Sequence, residues 1–186
     1  MKKYILLTTV VCCQNMYTQT DSSKFQLEEF EVTTNRVGQN SPVAHENISK
    51  EELEVNNHGV DLPILLDQAT SIVTTSDAGA GVGYTGIRVR GTDATRVNIT
   101  INGIPFNDAE SHGVFWVNMP DLSSSTSDIQ IQRGVGSSTT GASSFGATVN
   151  LSTLGNASSI KPFGEISNSF GSFNTIKNTV RFGSGL

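Results

Sequence analysis

Apolar and polar residues alternate with a period of two in several short segments of this chain. Residues 87–90 alternate isoleucine and valine with arginine, and residues 97–102 alternate valine and isoleucine with asparagine and threonine. This pattern is typical of strands that bury one face. The pair Asn102-Gly103 suits a two-residue type I′ turn, because both central positions need positive φ. Residues 86–108 therefore predict a compact β unit whose last four residues form an exposed rim.

Short helical segments alternate with the strands. Ser49 and Glu52 have the spacing of a capping box, which predicts a short helix that ends near Asn56. A second short helix is predicted over residues 62–68, where the leucines share one face, and a strand over residues 71–75. Short helices between short strands indicate an α+β fold with a small mixed sheet.

The second half of the chain continues this β pattern. Residues 128–133 alternate with two isoleucines inward, and a tract of small residues separates them from a predicted strand over residues 147–153. The apolar side chains between Phe115 and Met119 are predicted to pack in the core, because aromatic clusters usually supply core area.

The C-terminal residues from Phe163 to Phe182 also alternate, and they predict a hairpin. One face carries Ile166, Phe170, Ile176, Val180 and Phe182, and the other carries polar and charged residues. A hairpin of a membrane β-barrel has a lipid face and a watery face of this kind. An amphipathic hairpin of a soluble sandwich shows the same alternation, so both interpretations stay open at this point.

The amino terminus predicts export. Two lysines precede an apolar run from Tyr4 to Cys13, which is too short for a membrane-spanning helix but has the length of a secretory signal. Cleavage is expected between Asn15 and Asp21. Both cysteines of the chain, Cys12 and Cys13, would leave with the signal, so the mature protein is expected to have no disulfide.

Composition and motifs exclude several classes of function. A net charge of -5 and a pI near 5.1 argue against a nucleic-acid partner, which needs a basic face. The three histidines lack metal-ligand spacing, and no G-x-S-x-G motif occurs. Residues 81–86 match G-x-G-x-x-G, but a strand follows where a dinucleotide site needs a helix. We therefore expect no enzyme activity, no cofactor and no metal.

Two segments of the chain carry a family resemblance. Residues 86–108 (GIRVRGTDATRVNITINGIPFND) and residues 129–153 (IQIQRGVGSSTTGASSFGATVNLST) resemble two ordered signatures of the plug domain of TonB-dependent outer-membrane receptors. The resemblance covers roughly Phe25 to Leu186. It implies a small mixed-sheet plug with short helices, followed by the first hairpin of a transmembrane β-barrel.

This resemblance implies a division of the chain into four parts. These are a signal peptide over residues 1–20, a TonB box with a periplasmic linker over 21–41, a plug over 42–154 and an incomplete barrel hairpin over 155–186. A barrel that encloses such a plug needs about 22 strands, and this chain has room for two. We therefore expect it to be a fragment of a receptor or a truncated product.

The resemblance also implies three sets of functional residues. A TonB box would add as a strand to the TonB-type energy-coupling protein. Two plug arginines match those that pair with glutamates on the inner barrel wall, and we expect them to approach one another on adjacent strands. Two apical loops would contact a small-molecule or metal-chelate ligand. The sets are, in that order, Glu28, Glu29, Phe30, Glu31, Val32, Thr33 and Thr34; Arg90 and Arg133; and Gly81, Tyr84, Asn107, Asp108, Glu110, His112 and Phe115.

The implied function is gating of the energised uptake of a scarce nutrient across the cell outer membrane. In this family the nutrient is most often an iron siderophore, haem or cobalamin. The alternative is a secreted or periplasmic β-rich binding module without transport activity. The two differ at the C-terminal hairpin, which in a receptor is lipid-compatible and in a soluble module is a closed, polar edge.

Export predicts a shortened mature chain. Mass spectrometry of the protein from its native cell should give an N-terminus between Asn15 and Asp21 and no free thiol, because both cysteines depart with the signal. A mature chain that keeps Met1 and reacts with a thiol reagent would contradict the prediction.

Overall fold

The computed structural model describes residues 36–38, 41–136, 140–153 and 162–184 of the chain. All of them belong to one compact unit, which spans Thr33–Leu186. The predicted signal peptide over residues 1–20 and the predicted TonB box from Glu28 to Thr34 lie outside the described residues.

Within the described part of the chain, no helix is both long and apolar enough to span a membrane.

Nine strands and a few short helices make up the described residues. The strands are β1 His45–Ser49, β2 Ile72–Ser76, β3 Thr85–Val89, β4 Val97–Ile101, β5 Ile104–Pro105, β6 Asp128–Arg133, β7 Ala147–Ser152, β8 Phe163–Phe170 and β9 Ile176–Gly183. The α-helices are α1 Lys50–Asn56, α2 Leu62–Leu65 and α3 Leu122–Ser125, and the 3₁₀ turns are Leu66–Gln68, Ala94–Arg96, Trp116–Asn118 and Ser172–Asn174. These elements confirm the predicted α+β class.

A five-stranded mixed sheet lies at the centre, in the order β1-β6-β7-β4-β5. The β4–β7 pair is parallel, and the other pairs are antiparallel. β2 with β3 and β8 with β9 form two separate antiparallel hairpins. The sequence signatures at residues 86–108 and 129–153 thus contribute β4 to β7, four of the five central strands.

Local hydrogen bonds set the boundaries that the sequence predicted. Ser49 and Glu52 form the capping box: the Glu52 N–H donates to Ser49 Oγ at 3.4 Å, and the Ser49 N–H donates to Glu52 Oε2 at 2.8 Å. Asn102 and Gly103 both have positive φ, 52° and 81°, between β4 and β5. The helix end at Asn56 and the bounds of β6 also match the prediction.

One face of the central sheet forms the hydrophobic core. The helices, the β2–β3 hairpin and Trp116 cover the aliphatic side chains of β4, β6 and β7. Burial of this apolar area is the main source of stability in such a domain. The buried core residues include Leu53, Leu62, Leu66, Ile87, Val89, Val97, Ile99, Ile129, Ile131, Val149 and Leu151.

The opposite face of the same sheet is polar and is also buried. This differs from the sequence-based prediction of half-buried strands, which would leave the polar side chains in water. Burial is tolerated where hydrogen bonds satisfy the polar groups, and the Val37 backbone and the Thr140 carbonyl supply some of them. We call this surface the polar face. It comprises Asn98 and Thr100 of β4, Gln130 and Gln132 of β6, and Thr148 and Asn150 of β7.

The aromatic segment before α3 only partly meets its prediction. Trp116 is buried in the core, but Phe115 is 51% exposed and Val117 is also exposed. The 3₁₀ turn Trp116–Asn118 sends consecutive side chains in three different directions, so only Trp116 reaches the core. Core packing was therefore the wrong prediction for Phe115 and Val117.

A close contact between Gly146 and Thr92 joins the β2–β3 hairpin to the central sheet. A Cβ on Gly146 would lie 2.8 Å from the Cβ of Thr92, and the Thr92 hydroxyl donates to the Val89 carbonyl at 2.7 Å. Gly146 also donates its N–H to the Arg96 carbonyl at 2.8 Å. Only glycine allows the start of β7 to lie this close to the turn after β3.

The substitution Gly146→Ala should therefore lower the free energy of unfolding by about 1–3 kcal/mol through overpacking. Gly38→Ala is the matched control, because an added Cβ there meets nothing within 4 Å. Denaturant titration of both variants in detergent measures the difference. Equal stability of the two variants would contradict the close contact.

Candidate functional site

The C-terminal hairpin turns its apolar side chains outward. β8 and β9 pair over eight positions, with Ile166 opposite Val180 and Phe170 opposite Ile176. These four side chains and Phe182 are 62–85% exposed. No other described strand pairs with either edge of this hairpin. The result is an outward face with two apolar clusters, which the exposed pair Asn168–Asn178 separates.

The polar side of the hairpin contacts the domain instead. Lys177 Nζ lies 2.6 Å from Asp121 Oδ1, and the Thr179 hydroxyl donates to Asp121 Oδ2 at 3.4 Å. Arg181 forms ion pairs with Glu54 and Glu165 and donates to the Ser124 carbonyl. The hairpin is therefore held to α1 and α3 by charge rather than by apolar burial.

Asp121 is the acidic centre of this contact. Burial raises the pKa of its carboxyl group, but the hydrogen bonds from Lys177 and Ser124 and the charge of Lys177 outweigh burial and leave the pKa below its ordinary value. The carboxylate is therefore charged at neutral pH and can hold the Lys177 ammonium.

Arg90 and Arg133 meet at the turn before β2. The Arg90 N–H donates to the Ser71 carbonyl at 2.9 Å, and the Arg133 guanidinium donates to the neighbouring Thr70 carbonyl at 3.0 Å. Arg90 Nη1 also lies 3.6 Å from the position that a Cβ on Gly134 would take. The two arginines thus approach one another at the ends of β3 and β6.

Their strands are not neighbours, which corrects one part of the prediction. Among the described strands β3 pairs only with β2, whereas β6 lies between β1 and β7 in the central sheet. Arg90 reaches the end of β6 because its backbone turns into the left-handed region, with φ of 51°. The approach therefore depends on a turn between two sheets, which alternation within one strand does not reveal.

Arg133 already has an acidic partner, Glu46 of β1. Arg133 Nη1 lies 2.6 Å from Glu46 Oε2, and the Thr70 N–H donates to the same oxygen at 3.2 Å. Burial raises the pKa of Glu46, but these hydrogen bonds and the charge of Arg133 together lower it below its ordinary value. Arg90 forms no ion pair among the described residues, so only Arg133 is engaged within the domain.

The loop between β2 and β3 places one of its two predicted ligand residues at the surface. Tyr84 is 68% exposed. Gly81 is buried instead, because a Cβ there would lie 3.1 Å from Val60 Cγ1 and its carbonyl accepts the Asp61 N–H at 2.8 Å. This glycine thus fixes the loop to the segment before α2, and its contact with a ligand stays a prediction.

The loop over residues 107–115 is organised by Asn107. Its Oδ1 accepts the Ile99 N–H at 2.8 Å, and its Nδ2 donates to the Val97 carbonyl at 2.9 Å and to the His112 carbonyl at 2.8 Å. The side chain thus binds the part of the β4 edge that lies beyond the two residues paired with β5. It closes the loop at the same time. The sequence predicts Asn107 as a ligand contact, and nothing in the sequence pattern indicates this structural role.

Asp108, Glu110 and His112 lie together in this loop and are exposed. Hydrogen bonds from the backbone and the hydroxyl of Ser111 lower the pKa of Asp108, so its carboxylate is charged at neutral pH. His112 adopts a positive φ of 56° and donates its N–H to the Asp108 carbonyl. No group of three or more acidic, histidine or cysteine side chains suited to a metal ion occurs in the described ranges.

A groove of about 200 Å³ brings this loop together with the start of β3. Trp116 lies at its buried side, and Phe115 adds an exposed ring. Tyr84 directly precedes the β3 residues of the groove. The groove is mainly apolar and is lined chiefly by Thr85, Ile87, Val97, Ile99, Val114 and Phe115.

The Arg133–Glu46 pair predicts a pH-dependent contribution to stability. Glu46→Gln should lower the free energy of unfolding at pH 7 by about 1 kcal/mol, because the pair is partly screened by solvent. The lowered pKa of Glu46 means that the pair stabilises the fold above the ordinary glutamate pKa of about 4.3. This contribution is lost as pH falls through the lower folded value.

Denaturant titrations from neutral to acid pH measure this effect in detergent. The stability difference between Glu46→Gln and the parent chain should vanish in acid. Glu110→Gln, in an exposed loop, is the control and should stay within about 0.5 kcal/mol of the parent at every pH. A difference for Glu46→Gln that is independent of pH would contradict the ion pair.

Comparisons with known proteins agree with this architecture. The family model of the TonB-dependent receptor plug domain matches residues 38–148. No curated protein matches the chain. Among solved structures, the ferric yersiniabactin uptake receptor FyuA from Yersinia pestis shares 17% identity with a TM-score of 0.57, covering 77% of this chain and 22% of its own.

Two further structures show the same fold. The hemophore receptor HasR from Serratia marcescens, solved with its hemophore HasA and heme, shares 19% identity with a TM-score of 0.58, over 77% of this chain and 22% of its own. The copper transporter OprC shares 12% identity with a TM-score of 0.58, over the same two fractions. The chain thus spans about a fifth of the length of these proteins. The plug match covers more than half of the chain, and the chain therefore belongs to the TonB-dependent receptor plug domain family.

Proposed function

We propose that this chain is the plug and first strand pair of an outer-membrane receptor that gates the energised uptake of a scarce nutrient. The family is one of outer-membrane receptors, and the solved relatives named above are an uptake receptor, a hemophore receptor and a copper transporter. The nutrient we propose is of the iron-siderophore, haem or cobalamin class.

The observation that carries this proposal is the polarity of the C-terminal hairpin. Five of its outward side chains are apolar and 62–85% exposed, with one outward polar pair, Asn168 and Asn178, among them. Its charged side chains contact Asp121, Glu54 and the Ser124 carbonyl. In water, exposure of five large apolar side chains on one two-stranded sheet is unfavourable. In a bilayer it is favourable, because transmembrane strands place apolar residues outward and polar residues inward.

The same observation argues against the alternative of a secreted or periplasmic β-rich binding module. A soluble sandwich would turn Ile166, Val180 and Phe170 toward the core and leave Lys177 and Arg181 in water. The hairpin has the opposite orientation. Its apolar side chains are unpartnered among the described residues, and this orientation supports the receptor interpretation over the soluble one.

Exposed side chains around the groove support a ligand contact at the apical loops. Phe115 lines the groove, and Tyr84, Asp108, Glu110 and His112 are exposed in the loops next to its lining residues. Aromatic rings beside a few polar groups are typical of sites for small organic ligands. We propose that a small molecule or metal chelate contacts these residues, with Asn107 and Gly81 holding the two loops in place.

Energy coupling would act on the segment before the plug. We propose that Glu28 to Thr34 forms the TonB box and adds as a strand to a TonB-type partner. A ligand can favour exposure of this segment only if it binds the exposed state more tightly than the resting state. We further propose that Arg90, which is free of ion pairs in the described part of the chain, meets a carboxylate on the barrel wall.

The test is a single substitution in the native gene, Val32→Pro. Proline removes an N–H from an added strand, so energised uptake should fall at least about tenfold. Binding of the same compound to de-energised cells should be unchanged. Val32→Thr keeps the N–H and the β-branched shape and is the matched control.

Four probes cover the proposed nutrients and the copper relative: radiolabelled iron carried by the culture's own siderophores, haemin, cyanocobalamin and cupric ion. Uptake of one of them should depend on Val32 and on the proton motive force. Equal uptake in the proline variant, the threonine variant and the parent would contradict the receptor proposal. Recovery of the chain in the soluble periplasmic fraction would favour the binding module.

A further inference from the structure

A buried acidic side chain directly before α2 binds the loop between β2 and β3. Asp61 is only 4% exposed. It takes the N-cap position of α2, but its side chain makes no capping hydrogen bond to that helix. Pro63, in the first turn of α2, has no N–H to donate. The Asp61 carboxylate is therefore available to another part of the chain.

Its partners are alternate residues of the loop. The Gly83 N–H donates to Asp61 Oδ2 at 2.9 Å, and the Thr85 hydroxyl donates to the same oxygen at 3.0 Å. The Asp61 N–H donates in turn to the Gly81 carbonyl at 2.8 Å. Hydrogen bonds to a carboxylate are stronger than those between neutral groups. One residue thus binds the loop at three positions, each two residues from the next.

The two side chains between these positions are exposed. Val82 is 47% exposed and Tyr84 is 68% exposed. A regular strand would give such alternation by itself, but Gly81 and Gly83 have φ of 74° and 101°, so this segment is not a regular strand. The alternation therefore depends on what the segment binds, and Asp61 binds it at every second residue.

The β2 end of the hairpin supplies the remaining bonds of this segment. The Gly81 N–H donates to Ser76 Oγ at 3.2 Å, and the Asp77 N–H donates to the Tyr84 carbonyl at 3.1 Å. Both partners move with the hairpin itself. Within the described part of the chain, Asp61 is thus the residue outside the hairpin that fixes the loop by hydrogen bonds.

We propose that Asp61 is the positioning residue of this loop, and that it presents Val82 and Tyr84 together as one ligand-contact surface. The surface is continuous in sequence with the groove, because Thr85 both donates to Asp61 and lines the groove. Val82 and Tyr84 supply apolar area and one phenol hydroxyl but no charge. Such a surface suits the organic part of a ligand and not a bare metal ion.

This inference rests on the proposed function and adds two residues to it, Asp61 and Val82. Two measurements keep the failure of one distinct from the failure of the other. Proteolysis reports whether Asp61 holds the loop, whatever the chain transports. Uptake reports whether the loop contacts the transported compound.

The first measurement is cleavage of the full chain in detergent by chymotrypsin, with the cut sites identified by mass spectrometry. Asp61→Ala removes both bonds to the carboxylate, so cleavage after Tyr84 should become about tenfold faster. Cleavage after Phe145, which is exposed in the loop before β7, is the internal control and should keep its rate.

Three further variants define the role of the carboxylate. Asp61→Asn keeps a side-chain oxygen that accepts the two bonds, so cleavage after Tyr84 should return toward the parental rate. Asp67→Ala is the matched control, because Asp67 Oδ1 accepts the Thr74 hydroxyl at 2.9 Å and does not bind the loop. Thr85→Val removes one of the two bonds and leaves the carboxylate in place, so its rate should be intermediate.

The cleavage rates decide the positioning role even if Asp61→Ala does not fold, because Thr85→Val is the milder change. Parental cleavage after Tyr84 in both variants would overturn the proposal. So would equal acceleration after Phe145, because it would mean that the whole domain opens.

The second measurement is uptake of iron carried by the culture's own siderophores, haemin, cyanocobalamin and cupric ion. Asp61→Ala should raise the half-saturating concentration of the transported compound by about tenfold and leave the maximal rate unchanged. Asp61→Asn should restore it. Val82→Ser should raise it as well, without faster cleavage after Tyr84, whereas Val73→Ser, at an exposed valine of β2, should not.

A fall in maximal rate at an unchanged half-saturating concentration would overturn the ligand contact, and so would a response to these variants with cupric ion alone. Absence of uptake of all four probes by the parent would contradict the proposed function and the contact with it. The chymotrypsin rates would still decide whether Asp61 holds the loop.

Discussion

Buried polar groups must find hydrogen-bond partners, and this requirement governs the central sheet. One face of β4, β6 and β7 is aliphatic and forms the core, while the other is a layer of asparagine, glutamine and threonine that is equally buried. Desolvation of such groups is costly unless they are paired. The chain meets this cost with side-chain ladders such as Thr100 to Asn150 and with backbone from outside the sheet.

Ion pairs hold the C-terminal hairpin against the rest of the domain. Lys177 and Arg181 join the hairpin to Asp121 and Glu54, and no large apolar side chain of the hairpin is buried against the domain in the described residues. The Lys177 and Arg181 side chains are only 13% and 16% exposed in this contact, so it buries charged groups in place of apolar ones. The domain and the hairpin can therefore separate without exposing a hydrophobic core.

The structural features that local interactions determine could be predicted from the sequence. Three features depend only on neighbouring residues in the chain and were therefore predictable: the capping box of Ser49 and Glu52, the Asn102-Gly103 turn and the bounds of β6. The Arg133–Glu46 pair joins residues 87 positions apart, and the burial of Gly81 depends on Val60. Alternation within β4 correctly gave two faces, but it held no information about what covers the polar one. Arg90 reaches the end of β6 because its backbone has a positive φ. Arginine has no preference for this conformation, so the sequence does not predict it.

The single side chain of Asn107 has a consequence for how this loop can change over time. It binds the Val97 carbonyl and the Ile99 N–H at the edge of β4, and it binds the His112 carbonyl across the loop. The loop is thereby closed at its base by Asn107 and by the Asp108 N–H, which donates to the Gly113 carbonyl at 2.9 Å, and Ala109 and Glu110 at its tip are exposed. New residues at the tip leave the anchoring bonds intact. The fold thus separates the part of the loop that must be kept from the part that is free to diversify.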